Sequence, residues 1–148
     1  MKAYTRVVSA GLALYAVAWF VQVIKDGATL ADGTLPGWQA FRVALSPIWP
    51  YEGIVTEGWF RRILSVASGF TNAIVLCLPL WLHFARRHRK DLAVGPLCFA
   101  AAIDAHWMFP QAQDLRLGYY MWIGSFIVLA VGVARSAEAS SPPGSTAA

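Results

Sequence analysis

Long apolar runs dominate this chain, and its polar residues are gathered into the stretches between them. Four runs approach the length of about 20 residues that a helix needs to cross a hydrocarbon layer about 30 Å thick. They are residues 7–24, 64–84, 92–109 and 117–134, and three of them carry no Asp, Glu, Lys or Arg. Helix is the element expected in each, because an open strand would leave backbone N–H and C=O groups unpaired in lipid. Pro79 and Pro96 fall inside runs, which membrane helices tolerate where neighbours pair the freed carbonyls. The pattern predicts an all-α fold: a four-helix transmembrane bundle over residues 1–134, with a disordered cytoplasmic tail at 135–148 containing Ser-Ser-Pro-Pro-Gly-Ser-Thr. The first run follows Lys2 and Arg6 as a signal peptide would, but it outlasts the roughly 7–15 residues of a cleaved signal core. A retained signal anchor is expected.

The outer loop, residues 25–63, is rich in Gly and Pro yet carries Trp38, Phe41, Leu45, Ile48, Trp49, Tyr51, Trp59 and Phe60. Trp38, Phe41 and Leu45 recur at helical spacing after Pro36-Gly37, which predicts a short helix lying in the membrane interface. Trp38, Trp49, Trp59, Tyr119, Tyr120 and Trp122 are expected as interface anchors, since Trp and Tyr favour the headgroup layer. A long apolar loop of this kind is either functional or a cap on the outer end of the bundle.

Composition sharpens the class. Hydrophobic residues make up 57% of the 148 and charged residues only 14%, against about 25% charged in soluble domains. The net charge of +4 does not point to nucleic acid, because four of the twelve Lys and Arg residues sit in one loop, Arg86-Arg87-His88-Arg89-Lys90. A short basic loop beside a span is a topogenic signal. With the N-terminus, that loop and the C-terminal tail inside, the cytoplasmic side collects Lys2, Arg6, Arg86, Arg87, Arg89, Lys90 and Arg135. The outer side then holds Lys25, Arg42, Arg61, Arg62 and Arg116 among five acidic residues. The arrangement expected is a multi-pass protein of the bacterial inner membrane with both ends cytoplasmic. Arg61 and Arg62 run against it.

Polar side chains inside spans are costly, so they are the first place to look for function. A rise of 1.5 Å per residue puts Asn72, Asp104 and Ser125 each about 12 Å below the outer surface. Ser68 lies one turn from Asn72 on the same face. These four form the expected intramembrane polar cluster, with Asn72 and Ser125 placed to donate to Asp104. The cluster reads either as a pocket for a proton, ion or small ligand, or as a hydrogen-bond knot that sets helix packing. His106 is a secondary candidate near the outer interface, two residues from Asp104 and so on another face. His83 is about 20 Å deeper than His106, too far to share a haem with it. Cys77 and Cys98 match in depth, but buried thiols in apolar surroundings are mostly packing residues. No phosphate-binding loop, metal-ligand spacing or nucleophile elbow occurs, and no lysine lies within a span. Neither metal nor cofactor is expected, and no catalytic residue is assigned.

Three runs, Leu35-Pro36-Gly37-Trp38, Thr71-Asn72-Ala73 and Leu117-Gly118-Tyr119-Tyr120-Met121-Trp122, resemble segments of small four-span bacterial inner-membrane proteins that have no assigned activity. The resemblance covers roughly residues 35 to 132; it implies the four-span topology and no mechanism. With small residues also on span faces (Ser65, Gly69, Ala73; Ala100, Ala101, Ala105; Gly124, Gly132), the leading expectation is an accessory subunit or partner-binding protein of a membrane complex. Its partners would be membrane lipids and other membrane subunits, or further copies of the chain. A carrier or lipid-modifying enzyme built on the polar cluster, and an immunity protein against a toxin, are the alternatives.

Overall fold

A computed structural model describes residues 3–25, 33–51, 58–84, 91–110 and 112–138. Among them are five α-helices: α1 (Ala3–Ala18), α2 (Gly37–Ala44), α3 (Trp59–Phe84), α4 (Val94–His106) and α5 (Leu117–Glu138). A two-stranded antiparallel ribbon, β1 (Gln22–Lys25) with β2 (Thr34–Pro36), interrupts them. The fold is predominantly helical. Two of its helices are long and apolar enough to cross a membrane: α3, and α5 over Leu117–Ser136. The apolar helices from the other two runs are shorter, Tyr4–Ala18 and Val94–His106, or about 22 and 20 Å of axis at 1.5 Å per residue.

The shortfalls have local causes. The expected helix over 7–24 stops at Ala18, where tight turns bring the N–H groups of Trp19 and Phe20 onto the carbonyls of Ala16 and Val17. The chain then extends into β1 and doubles back through β2 into α2. There the Gly37 and Trp38 N–H groups donate to the carbonyls of Val21 and Trp19. The first amides of one helix thus satisfy carbonyls left free just past the end of another, each meeting a need that every helix terminus has. At the second short helix, a 3₁₀ turn over Asp91–Ala93 precedes α4, and turns with Pro110 follow His106. Conversely, α3 starts at Trp59, five residues before the apolar run at 64–84. Helix α5 continues past 134, so Arg135 to Glu138 are helical rather than part of a disordered tail. Residues 139–148 lie outside the described residues, as do 26–32, 52–57 and 85–90, the last holding Arg86, Arg87, Arg89 and Lys90.

Helix α5 is the centre of the bundle, packed on α1 along one side and α4 on the other, with α3 against α4 and α2. The α1–α5 seam is antiparallel and close. A Cβ added at Gly132 would lie 2.8 Å from Val8 Cγ2 and 3.1 Å from the Val8 backbone nitrogen. Small residues at such a seam let helix backbones approach closely. Toward the other end the seam becomes aromatic: Trp19 stacks on Trp122 with centroids 5.5 Å apart, and Tyr15 meets Trp122 edge-on at 6.0 Å. Trp122 is therefore core, 7% exposed, rather than an interface anchor. Burying its indole against Tyr15, Trp19 and α2 outweighs its preference for the interface.

The start of α1, the turn before α4 and the last turns of α5 gather at one end of the bundle, and the ribbon and α2 close the other. On the far edge of β1, Lys25 N–H donates to the Asp114 carbonyl at 2.6 Å and Arg116 N–H to that of Val23 at 2.8 Å. Helix α2 occupies almost the whole stretch expected to be helical, but it is tucked into the bundle, with Gly37 and Ala40 buried. Trp38, Trp49, Trp59 and Tyr120 are exposed around that closed end. Arg42 stacks over Trp49 with its guanidinium carbon 3.3 Å from the ring centroid, a cation–π contact that pins the turn after α2.

Candidate functional site

Beneath α2 lies a cavity of about 400 Å³, walled by α3 on one side and α5 on the other, with β1 and α2 above. Apolar and aromatic side chains, among them Phe41, Trp107, Tyr119 and Trp122, form most of the wall. The polar part is a single stripe on α3, Arg61, Ser65, Ser68 and Asn72, together with Asp104 of α4. The stripe follows from spacing alone: positions i, i+4, i+7 and i+11 share one helix face.

Asp104 is 3% exposed. The Ser68 hydroxyl donates to its Oδ1, and the Thr71 hydroxyl donates to its Oδ2 at 3.1 Å. The Thr71 hydroxyl also lies 2.6 Å from the Ser68 carbonyl, a contact back to its own helix. The Tyr119 hydroxyl donates to the Asp104 main-chain carbonyl, tying α5 to α4 at the same level. No Lys or Arg among the described residues pairs with the carboxylate, whose oxygens offer about four acceptor positions and receive two side-chain hydrogen bonds.

Asn72 and Ser68 thus reach the cavity, but Asn72 does not serve as donor to Asp104. Its amide donates to the Gly69 carbonyl at 3.0 Å, and its Oδ1 accepts from the Tyr15 hydroxyl at 2.7 Å. That bond is a polar link between α1 and α3. Ser125 is fully buried, yet its hydroxyl turns back to the Trp122 carbonyl at 2.6 Å. Depth along the bundle does not specify the angle around a helix. Ser125 lies six residues beyond Tyr119, about 120° away around α5 at 3.6 residues per turn. Thr71 takes the place expected of Ser125. It could have been found, because it stands three residues from Ser68 on the same face. Tyr119, expected at the interface, is 8% exposed and part of the site. Tyr15, Arg61 and Trp107 had no polar-in-span signature to single them out.

The secondary candidates lie elsewhere. His106 is exposed and meets the Phe60 ring edge-on at 6.4 Å, outside the cavity lining. Cys77 and Cys98 are free thiols on the outer faces of α3 and α4. The site offers one buried carboxylate, hydroxyl donors that orient it and an aromatic wall. No protein-family description, functionally described protein or solved structure matches this chain.

Proposed function

We propose that this chain is a ligand-binding protein of the bacterial inner membrane, crossing it four times with both ends cytoplasmic, and that its ligand occupies the cavity under α2. One observation carries the reading: a buried carboxylate with no cation beside it among the described residues sits on the wall of an aromatic-lined cavity of about 400 Å³. A carboxylate serving only as a packing knot is expected in a filled core, whereas concave, largely apolar sites with a few convergent polar groups are the usual form of a small-molecule site. An ionisable group at membrane depth is costly enough to imply use. The membrane part is supported by α3 and α5 and by outward-facing Phe70, Leu76, Leu80, Phe99 and Ile127. The antiparallel α1–α5 seam brings the start of α1 and the end of α5 to one end of the bundle, which supports a common side for both. The likeness of three runs to small four-span inner-membrane proteins points the same way.

The test is a stability screen of the purified protein in nanodiscs against small amphiphiles. A true ligand at about 100 times its Kd raises stability by about 2.7 kcal/mol, and Asp104→Asn should erase that rise while the protein still inserts. If Asp104→Asn only lowers stability and nothing in the screen raises it, the cluster is a packing knot. A reporter fused after Ala148 should act on the cytoplasmic side; activity in the periplasm would overturn the orientation.

A second reading, an accessory subunit or partner-binding protein, draws on α3. That helix packs chiefly on α4 and α2 and leaves Ile63, Phe70, Leu76 and Leu80 outward. Native mass spectrometry from mild detergent would show a stoichiometric partner or a second copy if this reading holds.

A further inference from the structure

We infer that the ligand is a zwitterion, an ammonium group joined to a carboxylate or phosphate on an apolar body, held between Asp104 and Arg61. The inference rests on the ligand-binding reading above and names the class of molecule.

Three features of the cavity combine. First, the Asp104 carboxylate has two hydroxyl donors and no cation among the described residues. A buried carboxylate is best satisfied by an opposite charge with hydrogen-bond donors, and an ammonium supplies both. Aromatic neighbours strengthen that choice, since Trp and Tyr faces attract ammonium groups and Trp107, Tyr119 and Trp122 line the same space. Second, the outer end of the polar stripe is Arg61, an exposed guanidinium on the cavity wall. It stands seven residues before Ser68, or about 10 Å along α3, and lines the same cavity as Asp104. A simple organic cation beside Arg61 meets a like charge, and a simple anion beside Asp104 meets another. Only a molecule carrying both signs is attracted at both ends, which is selection by repulsion as much as by attraction. Third, the size is small. At about 30 Å³ for each water-sized group, the cavity holds on the order of a dozen non-hydrogen atoms between apolar walls.

A free amphiphilic amino acid and the headgroup of an ethanolamine phospholipid share this chemistry. The experiment separates them with tritiated phenylalanine, phenethylamine and phenylacetate, which carry the same ring with both charges, the positive charge or the negative charge. Binding is measured on the full chain in phosphatidylglycerol nanodiscs, with and without phosphatidylethanolamine. Phenylalanine should bind at least tenfold more tightly than either single-charge probe. Arg61→Gln, an exposed change, should abolish its advantage over phenethylamine, and Asp104→Asn should remove binding of both. If the lipid headgroup is the occupant, phosphatidylethanolamine should displace phenylalanine at least tenfold; if the occupant is a free zwitterion, the lipid should leave the affinity unchanged. Phenethylamine binding as tightly as phenylalanine through Asp104 would overturn the zwitterion and leave the cavity reading standing. No binding of phenylalanine in either lipid mixture, with a positive stability screen, would do the same. Failure of that screen as well would take down both.

Discussion

Replacing Gly132 with alanine tests the packing that holds the site together. An added Cβ would lie 2.8 Å from Val8 Cγ2, 3.2 Å from Val7 Cγ1 and 3.1 Å from the Val8 backbone nitrogen. Side chains can rotate away, but a helix backbone cannot, so α1 and α5 must part by some tenths of an ångström. An opening of half an ångström forfeits about a quarter of a contact worth ~0.15 kcal/mol, and over the ~50 contacts of one buried leucine-sized neighbour this costs ~2 kcal/mol. Alanine returns about 1 kcal/mol of helix propensity, leaving Gly132→Ala destabilised by ~1 kcal/mol. Gly124, on the same helix, is the control. Its added Cβ would find only Leu14 Cδ2, at an ordinary 3.8 Å, so Gly124→Ala should keep the propensity gain. The two variants should therefore differ by ~2 kcal/mol, a contrast in which propensity cancels. Unfolding in mixed micelles at rising dodecyl sulfate fraction, followed by circular dichroism, reads it directly. If Gly132→Ala is as stable as Gly124→Ala, the close seam is not as described.

Three further outcomes are expected. In a double-mutant cycle, Ser68→Ala and Asp104→Asn should couple by about 0.6–2 kcal/mol, whereas Ser125→Ala and Asp104→Asn should be additive; the same unfolding assay measures both, and coupling at Ser125 would refute the hydrogen-bond assignment. Tyr15→Phe leaves the Asn72 Oδ1 without its donor and should cost about 1–3 kcal/mol as an unmet buried acceptor, a loss that Asn72→Leu in the same background should reduce. Cys77 and Cys98, exposed on the bundle's outer faces, should resist a charged, membrane-impermeant maleimide in intact vesicles and react once dodecyl sulfate removes the bilayer. Prompt labelling without detergent would mean that water, not lipid, covers these faces.

Sequence alone settles where most of the helices of this chain lie, because the hydrophobic pattern acts within each segment. The helices at α3 and α5 and the short helix after Pro36 follow from local apolar spacing, and so does the shared face of Arg61, Ser65, Ser68 and Asn72. Depth along a helix is equally local, which is why Asn72, Ser68 and Asp104 could be placed in one layer before any helix was packed. Which residues meet depends on the rotation of each helix about its axis and on how segments outside the helices fold back. Those are set by long-range contacts such as Gly132 on Val8 and the α2 amides on the Trp19 and Val21 carbonyls. So the tertiary structure alone turned Ser125 away from Asp104, brought Tyr119 to its main-chain carbonyl, and buried Trp122. The β-ribbon was invisible for the same reason: a four-residue strand inside an apolar run looks like helix until its partner, residues 34–36, arrives to claim its backbone groups.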